Sequence, residues 1–470
     1  MEERTQTNQI TALDNRCISQ LRVICPHPGQ VLYEAADCLP YGCDNSKQYA
    51  QPAAVVLPQT HDEVVKIVQL CRTYHLPITP RGRGTNTTGA ALPIHGGVVV
   101  CMEHMNRILK IDTVNRTLHA QTGVSNRAIQ DYCAIEQLFW PPDPGSADFC
   151  TLGGNLACNA AGPRAVKYGT TRENTLKIKA VTGAGNTLCS GAITSKSVVG
   201  LDLTRLLIGS EGTLAIITEA VLKLSKLPPS KSCLRLDYRS VEAALQAVCR
   251  IMELYETPSA LELLDDKCLQ LLKTHTNLEI GNDVQAILIV EADGSKAAVS
   301  HAIDAIHQVA IAEGLYKIWH ADNDQQSEAL WAARKQLSPV LRNYKPCKIN
   351  EDIVVPISEL PELVRGLDDI SQKNNVSIVN FGHVGNGNLH VNILYQPEQE
   401  QNAQQALTEL FELTLKLNGS LSGEHGIGLS KRELIKKELD PYAIELMHQL
   451  TKVMDPDDIL NSGKGLPISS

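Results

Sequence analysis

Hydrophobic positions in this chain switch between two periods. AAVVLP, just after Gln51, is an apolar run of strand length. The rhythm then changes: Val64, Val65, Ile67, Val68 and Leu70 recur as one face of a 3.6-residue repeat and predict a helix. Thr60 precedes it with Glu63 three residues on, the pattern of a capping box. LPITP is the next short strand. From there to about residue 224 the chain is rich in strands and turns: GGVVVCM, LKIDTVNRTLHAQTG, LKIKAVTGAGNTLCSG and GTLAIITEAVLKL. After KLPPSKS the pattern becomes strand–helix–strand. CLRLDY and QAILIVEADG read as strands; VEAALQAVCRIMEL, AAVSHAIDAIHQVAIAEG and ALWAARKQLSPVL read as helices. Two such halves predict an antiparallel sheet with helices on one side. PYAIELMHQLTKVMDPDDILNSGKGLP predicts a last helix closed by a Pro- and Gly-rich tail. The expected units are an N-terminal segment (1–46), a strand- and turn-rich domain (47–227), an α+β domain (228–430) and a C-terminal helical segment (431–470).

Length supports that division, because 470 residues exceed what one hydrophobic core usually serves. Apolar content of 43% and charged content of 20% describe an ordinary soluble protein. A formal charge of −9, with no Lys/Arg-rich block, argues against a nucleic-acid partner. The longest apolar runs are too short to span a bilayer. The opening residues, MEERTQTNQITALDNR, carry acids and no apolar core of a secretory signal. A cytoplasmic location is therefore expected, with the 14 cysteines as reduced thiols. None forms a Cys-x-x-Cys pair, which argues against zinc-ribbon and ferredoxin sites.

Candidate chemistry gathers in glycine-rich segments. PRGRGTNTTGAALP (80–93) follows a strand, and Gly82, Gly84 and Gly89 let the backbone approach a bound group closely. Successive N–H groups in such a turn can cradle a pyrophosphate, although an ordinary turn has the same composition. A Rossmann site needs a helix straight after its glycines; here Pro93 and the strand GGVVVCM follow too soon. Residues 141–174 form a long polar stretch of the kind that is usually functional. LLIGSEGTLAIIT sets Glu211 and Gly212 between two apolar strands. Three such loops in one domain can wrap an extended cofactor.

FGHVGNGNLHVNIL (381–394) cannot be a stable helix, because Gly385 and Gly387 interrupt it. Strand–turn–strand is expected, which brings His383 and His390 together as the start of a metal site or as two unrelated histidines beside a hairpin. SGEHGIG (422–428) supplies Glu424 and His425, whose side chains diverge in extended chain. Glu424 can complete a two-His-one-carboxylate triad with open positions, and His425 can face the same cavity as a base. Arg334 is either a surface helix arginine or a bidentate grip for a carboxylate, with Ser338 one turn on. Asn392 shares the strand face of His390, and Lys348 is a further cation.

The order of PRGRGTNTTGAALP, PPDPGSADFCTLGGNLACNAAGPRAVKYG, DLTRLLIGSEGTLAIITE, NEDIVVP, GHVGNGNLH, SGEHGIG and DPDDILNSGK resembles the FAD-linked 2-hydroxy-acid dehydrogenases. That group includes the D subunit of glycolate oxidase, D-lactate dehydrogenase and D-2-hydroxyglutarate dehydrogenase. The resemblance runs from about residue 51 to 464. It implies an α+β fold with a vanillyl-alcohol-oxidase/PCMH-type FAD-binding domain, a ferredoxin-like cap domain and a short C-terminal helical segment that returns to the FAD domain. It places the pyrophosphate on Arg81, Gly82, Arg83, Gly84 and Thr85, with Thr88 and Gly89. Adenine and isoalloxazine contacts fall to Pro142, Ser146, Thr151, Gly153, Gly154, Asn155, Asn159, Gly162 and Tyr168. Glu211, Gly212 and Ile217 would flank the ADP portion, and Asn461 would approach the flavin. No histidine lies in the first loop, so FAD is expected to be non-covalent.

The resemblance also gives His383, His390 and Glu424 to a divalent metal, with zinc the first choice and manganese or iron also suited. It makes His425 catalytic and Arg334, Ser338 and Asn392 substrate-binding. Two departures stand out: Arg83 replaces a glycine and Asn386 an aspartate found in many relatives. The implied reaction oxidises a small (R)-2-hydroxy acid of the glycolate, D-lactate or D-2-hydroxyglutarate type to the 2-oxo acid, with hydride passing to flavin N5. The chain has no iron–sulphur or nicotinamide motif, so an external acceptor is expected: an iron–sulphur subunit, an electron-transfer flavoprotein or a quinone. Peripheral association with the inner face of the membrane and a homodimer both fit. The alternative is a non-redox FAD enzyme on the same scaffold, like alkyl-dihydroxyacetone-phosphate synthase.

Overall fold

A computed structural model describes residues 13–275, 279–321 and 323–467. The side chains of residues 324, 338, 339, 342 and 343 lie outside that description. The first sheet has four strands in the order Val31–Leu32, Ala54–Val56, Val98–Cys101, Ile78–Arg81, the last three parallel. The helix His61–Thr73 makes the crossover. Thr60 caps it by accepting the Glu63 N–H, and Glu63 reaches back one residue further than a capping box requires, to the N–H of Gln59. Val64, Ile67, Val68 and Leu70 are buried, each worth roughly 1.5–3 kcal/mol when fully desolvated. Val65 is half-buried. Among the described residues, 13–45 are not a separate piece. Cys17 and Leu21 of the helix Asn15–Ile24 join this core, and Val31–Leu32 pairs with Ala54–Val56.

The second sheet is antiparallel, in the order Ile108–Asp112, Thr117–Gln121, Ala215–Lys223, Thr175–Thr182, Thr187–Gly191. Residues 141–174 contain two short helices, Leu152–Cys158 and Ala165–Tyr168. They are too short to show a hydrophobic period. Thr151 starts the first by accepting the Gly154 N–H, and Asn159 ends it in the left-handed region at φ 51°.

The third sheet has seven antiparallel strands: Leu315–His320, Ser230–Tyr238, Ala286–Gly294, Ala260–Leu264, Ser377–Gly382, Asn388–Tyr395, Cys347–Val354. Helices cover both faces, not one. Val241–Met252, Lys296–Ala310, Leu360–Lys373 and Glu400–Lys416 pack on one side, and Asp266–His275 and Asp324–Tyr344 on the other. The strands required it: Ala260–Leu264 and Asn388–Tyr395 are buried at every position, and a strand apolar on both faces needs two covers. After the helix Pro441–Met454 the tail returns to the first sheet, where Leu460 bridges Ile78. Among the described residues no helix is long and apolar enough to cross a membrane.

Candidate active site

A cavity of about 1600 Å³ lies where the three sheets meet. Its cap side is built on two adjacent strands. Phe381 pairs with His390 in register, and a one-turn 3-10 helix, Val384–Asn386, closes the hairpin with Gly387 at φ 72°. The tight turn sets the His383 and His390 rings 5.1 Å apart and nearly perpendicular. Glu424 Oε1 lies 3.5 Å from His383 Nε2 and 3.7 Å from His390 Nε2. One ligand atom from each of these residues falls within 4.8 Å of the others. The His425 ring stacks on that of His390, with centroids 5.4 Å apart.

Two buried carboxylates hold this arrangement. Glu262, in the strand Ala260–Leu264, meets His383 Nδ1 with one oxygen and Arg334 Nε with the other at 2.7 Å. Burial would raise its pKa, but the His383 and Arg334 charges bring it down to about 2. Asp352 accepts the backbone N–H groups of Gly423, Glu424 and His425 at 2.7–2.9 Å, and its other oxygen takes Asn388 Nδ2. Burial opposes its ionisation, yet the His425, His390 and Lys431 charges and the loop N–H groups hold it well below the usual carboxylate range. Burial alone would also lower His383, but Glu262 and Glu424 hold it up at about 10. Burial and the His383 charge push His390 down to about 3. The carboxylates of Glu262, Asp352 and Glu424 surround the two imidazoles, a negative setting that favours a divalent cation. Glu424 Oε2 is buried without a hydrogen-bond partner. Two imidazoles and an orphaned carboxylate oxygen suit such an ion.

Arg334 lines the cavity with its guanidinium 4.4 Å over the Phe381 ring. Glu262 takes its Nε–H, one of five guanidinium donors. Lys348 lines the same wall. Asn392 does not: it is buried behind His390 and donates to Val379 O and His390 O. The side chain of Ser338 is outside the described residues.

On the opposite wall stand Arg81, Gly82, Arg83, Gly84, Thr85, Thr88, Ser146, Thr151, Gly153, Gly154, Asn155, Glu211, Gly212 and Ile217. The volume exceeds that of ordinary small-ligand pockets and suits a dinucleotide. Asn155 Nδ2 is buried there without a partner, a donor left over for a ligand. Gly82 packs so close to Thr151 Oγ1 that a Cβ would collide with it. Several expected contacts are otherwise employed. Arg81 gives its terminal N–H groups to Cys43 O and Pro40 O, because residues 40–43 lie against it. Arg83 pairs with Glu103 at 3.0 Å and is half-exposed. Glu211 accepts the N–H groups of Ile427 and Gly428 with its two carboxylate oxygens. Gly89, Pro142, Asn159, Gly162, Tyr168 and Asn461 lie behind the lining. Tyr168 donates to Asp293, Asn159 accepts from Thr170 and Arg172, and Asn461 braces Ala90 O and Glu211 O.

Glycine loops facing a two-histidine, one-carboxylate cluster across a dinucleotide-sized cavity define a class of flavin enzyme. Residues 52–190 match the FAD binding domain family, and residues 227–465 match FAD linked oxidases, C-terminal domain. The chain belongs to the FAD-linked oxidase family and is an FAD-dependent oxidoreductase. It is 37% identical to glycolate oxidase subunit GlcD of Bacillus subtilis (strain 168), over 91% of this chain and 92% of that one. It is 31% identical to D-2-hydroxyglutarate dehydrogenase of Stutzerimonas stutzeri (strain A1501), over 96% and 99%. It is also 31% identical to D-lactate dehydrogenase of Anaerostipes hadrus, over 88% and 90%. Among solved structures, p-cresol methylhydroxylase superposes with a TM-score of 0.81 at 17% identity, covering 97% of each chain. An alkyldihydroxyacetonephosphate synthase superposes at 0.75 and 21%, covering 96% of this chain and 86% of that one. These likenesses show the vanillyl-alcohol-oxidase/PCMH-type fold.

Sequence reasoning missed Glu262 and Asp352. Glu262 had a weak signal, a lone acid inside the apolar run SALELL; Asp352, beside Glu351 at the head of EDIVVP, had none. Nothing local says which partner, 121 residues away for Glu262 and His383, makes the acid worth burying.

Proposed function

We propose that this enzyme oxidises a small (R)-2-hydroxy acid to its 2-oxo acid and passes the electrons to an external, non-nicotinamide acceptor. The observation that carries it is the gathering of His383, His390, Glu424, His425 and Arg334 on one wall, facing the glycine loops. Relatives named for glycolate, D-lactate and D-2-hydroxyglutarate support the substrate class. Residues 47–227 serve as the FAD domain and 228–430 as the cap, with 431–470 returning to the FAD domain. Arg334 meets the substrate carboxylate through the N–H groups that Glu262 leaves to it. His425 takes the hydroxyl proton onto its ring as the Cα–H bond breaks. His383, His390 and Glu424 would hold a divalent cation, zinc first with manganese or iron also suited, which supplies a Lewis acid for the hydroxyl oxygen. FAD, held without a covalent bond by the Gly82–Thr88 and Ser146–Asn155 loops, supplies the two-electron acceptor. An iron–sulphur subunit, an electron-transfer flavoprotein or a quinone takes the electrons on. The enzyme works in the cytoplasm, at the inner face of the membrane where the acceptor is a quinone.

The test is anaerobic bleaching of the flavin band by a panel of glycolate, D-lactate, L-lactate and D-2-hydroxyglutarate, with metal analysis on the same sample. One or more (R)-acids or glycolate should bleach it and L-lactate should not. No bleaching by any member would refute the substrate class.

A further inference from the structure

The helix Pro441–Met454 has no buried residue. Tyr442, Leu446, Leu450 and Val453 are 64%, 40%, 39% and 75% exposed, and Met447 is exposed beside them. Its half-buried positions are Ala443, Ile444, His448, Thr451 and Met454; the last four fall on the opposite side, where Met454 packs against the core of the second sheet. A contiguous apolar stripe turned to water calls for a cover.

The spacing says what kind of cover fits. Tyr442, Leu446, Gln449 and Val453 step by four, three and four, the a/d seam of a heptad. Glu445 and Lys452 lie seven apart on one flank of that seam; Ala443 and Leu450 lie on the other. Glu445 faces outward, accepting a hydrogen bond from Gln449 Nε2 at 3.2 Å. In an antiparallel pair of identical helices, each flank meets the same flank of its mate. A two-fold axis then sets Leu446 opposite Gln449 and Tyr442 opposite Val453. It also brings Glu445 beside the partner's Lys452, twice over. Parallel packing would set Glu445 against Leu450 and leave both charges unmatched. The outward face carries one acid and one base, so it has no basic excess to attract an anionic lipid surface.

We propose that this helix is the docking surface for a second copy of the chain, joined antiparallel across a two-fold axis. A seam of two heptads is short of the ~1,200 Å² that stable interfaces bury, so the dimer dissociates at about micromolar concentration. The proposal does not depend on the substrate or the metal.

The FAD-loaded full-length protein is followed by sedimentation velocity from about 0.1 to about 100 μM, the range that brackets weak association. A shift from monomer to dimer is expected. Glu445→Lys and Lys452→Glu should each weaken association roughly tenfold or more, since each sets like charges together twice. The double variant E445K/K452E exchanges the charges and should restore it. Leu446→Asp should abolish the dimer while the flavin spectrum and melting temperature stay as in the parent. A monomer at every concentration, a dimer indifferent to Leu446→Asp, or a double variant that fails to recover would each overturn the proposal. So would binding to phosphatidylglycerol vesicles that Leu446→Asp removes, which would assign the stripe to lipid.

Discussion

Glu262 joins two polar groups of the cavity wall that sequence places far apart. Its oxygens meet His383 Nδ1 and Arg334 Nε, and its side chain has no exposed surface. A carboxylate on Nδ1 fixes the imidazole so that Nε2 points at Glu424, at the proposed metal position. Glu262→Gln should therefore lower metal affinity about 10- to 100-fold, read by competition with a chelating dye, while FAD content is unchanged. His425→Ala should slow anaerobic flavin reduction by about 10²- to 10⁴-fold, with FAD and metal content at parental levels. A parental single-turnover rate would remove His425 from the role of base. His383, His390, Glu424 and His425 were legible because glycines crowd them into short segments where little but a site explains the composition. Glu262 and Asp352 were not, because a buried acid in an apolar strand takes its meaning from a partner the sequence leaves distant.

At the scale of elements, the loop Ser422–Gly428 is held from both ends. Asp352 takes the N–H groups of residues 423–425, Ser422 Oγ takes that of Gly426, and Glu211 takes those of Ile427 and Gly428. His425 O meanwhile accepts from Asn86 of the first glycine loop at 2.9 Å. The glycine-loop side thus positions Glu424 and His425. Glu211 itself sits at φ 52°, and a Cβ on Gly426 would collide with its Oε1. Glu211→Gln replaces one acceptor by a donor facing an N–H group. It should cost about 1–3 kcal/mol of stability and lower turnover more than it changes KM. Gly426→Ala and Glu211→Ala should destabilise less together than the sum of each alone, measured by thermal unfolding. Hairpins and capped helices were readable here because their signals are local. The second helical layer on the seven-stranded sheet was not expected, although AILIV and ALELL, apolar without alternation, carried the sign of two-sided burial. The helices inside residues 141–174 were too short to mark a period.

For the whole molecule, the cavity has walls from both the glycine-loop sheets and the seven-stranded sheet. A ligand there ties the two halves together. Adding FAD to flavin-free protein at about 100 times its dissociation constant should stabilise it by ~2.7 kcal/mol. Calorimetry should show the rise in one transition that includes both halves; two transitions with only the earlier-chain half shifted would show that the halves unfold independently. The change of hydrophobic rhythm suggested a division of the chain, and the family resemblance a tail that returns to the FAD-side domain, but the residues through which the N-terminal strand and the tail pair were not visible. Their pairings, Val31 with Val56 and Leu460 with Ile78, join residues whose short apolar runs carry no address.

The embrace between Glu211 and Gly426 also constrains how such enzymes can be recombined. A chimera that grafts the later half of one homologue onto the earlier half of another inherits a carboxylate from one parent and its glycine-sized berth from the other. Exchange of specificity by swapping caps should therefore succeed where both parents carry that matched pair, and yield inactive hybrids where either member has drifted.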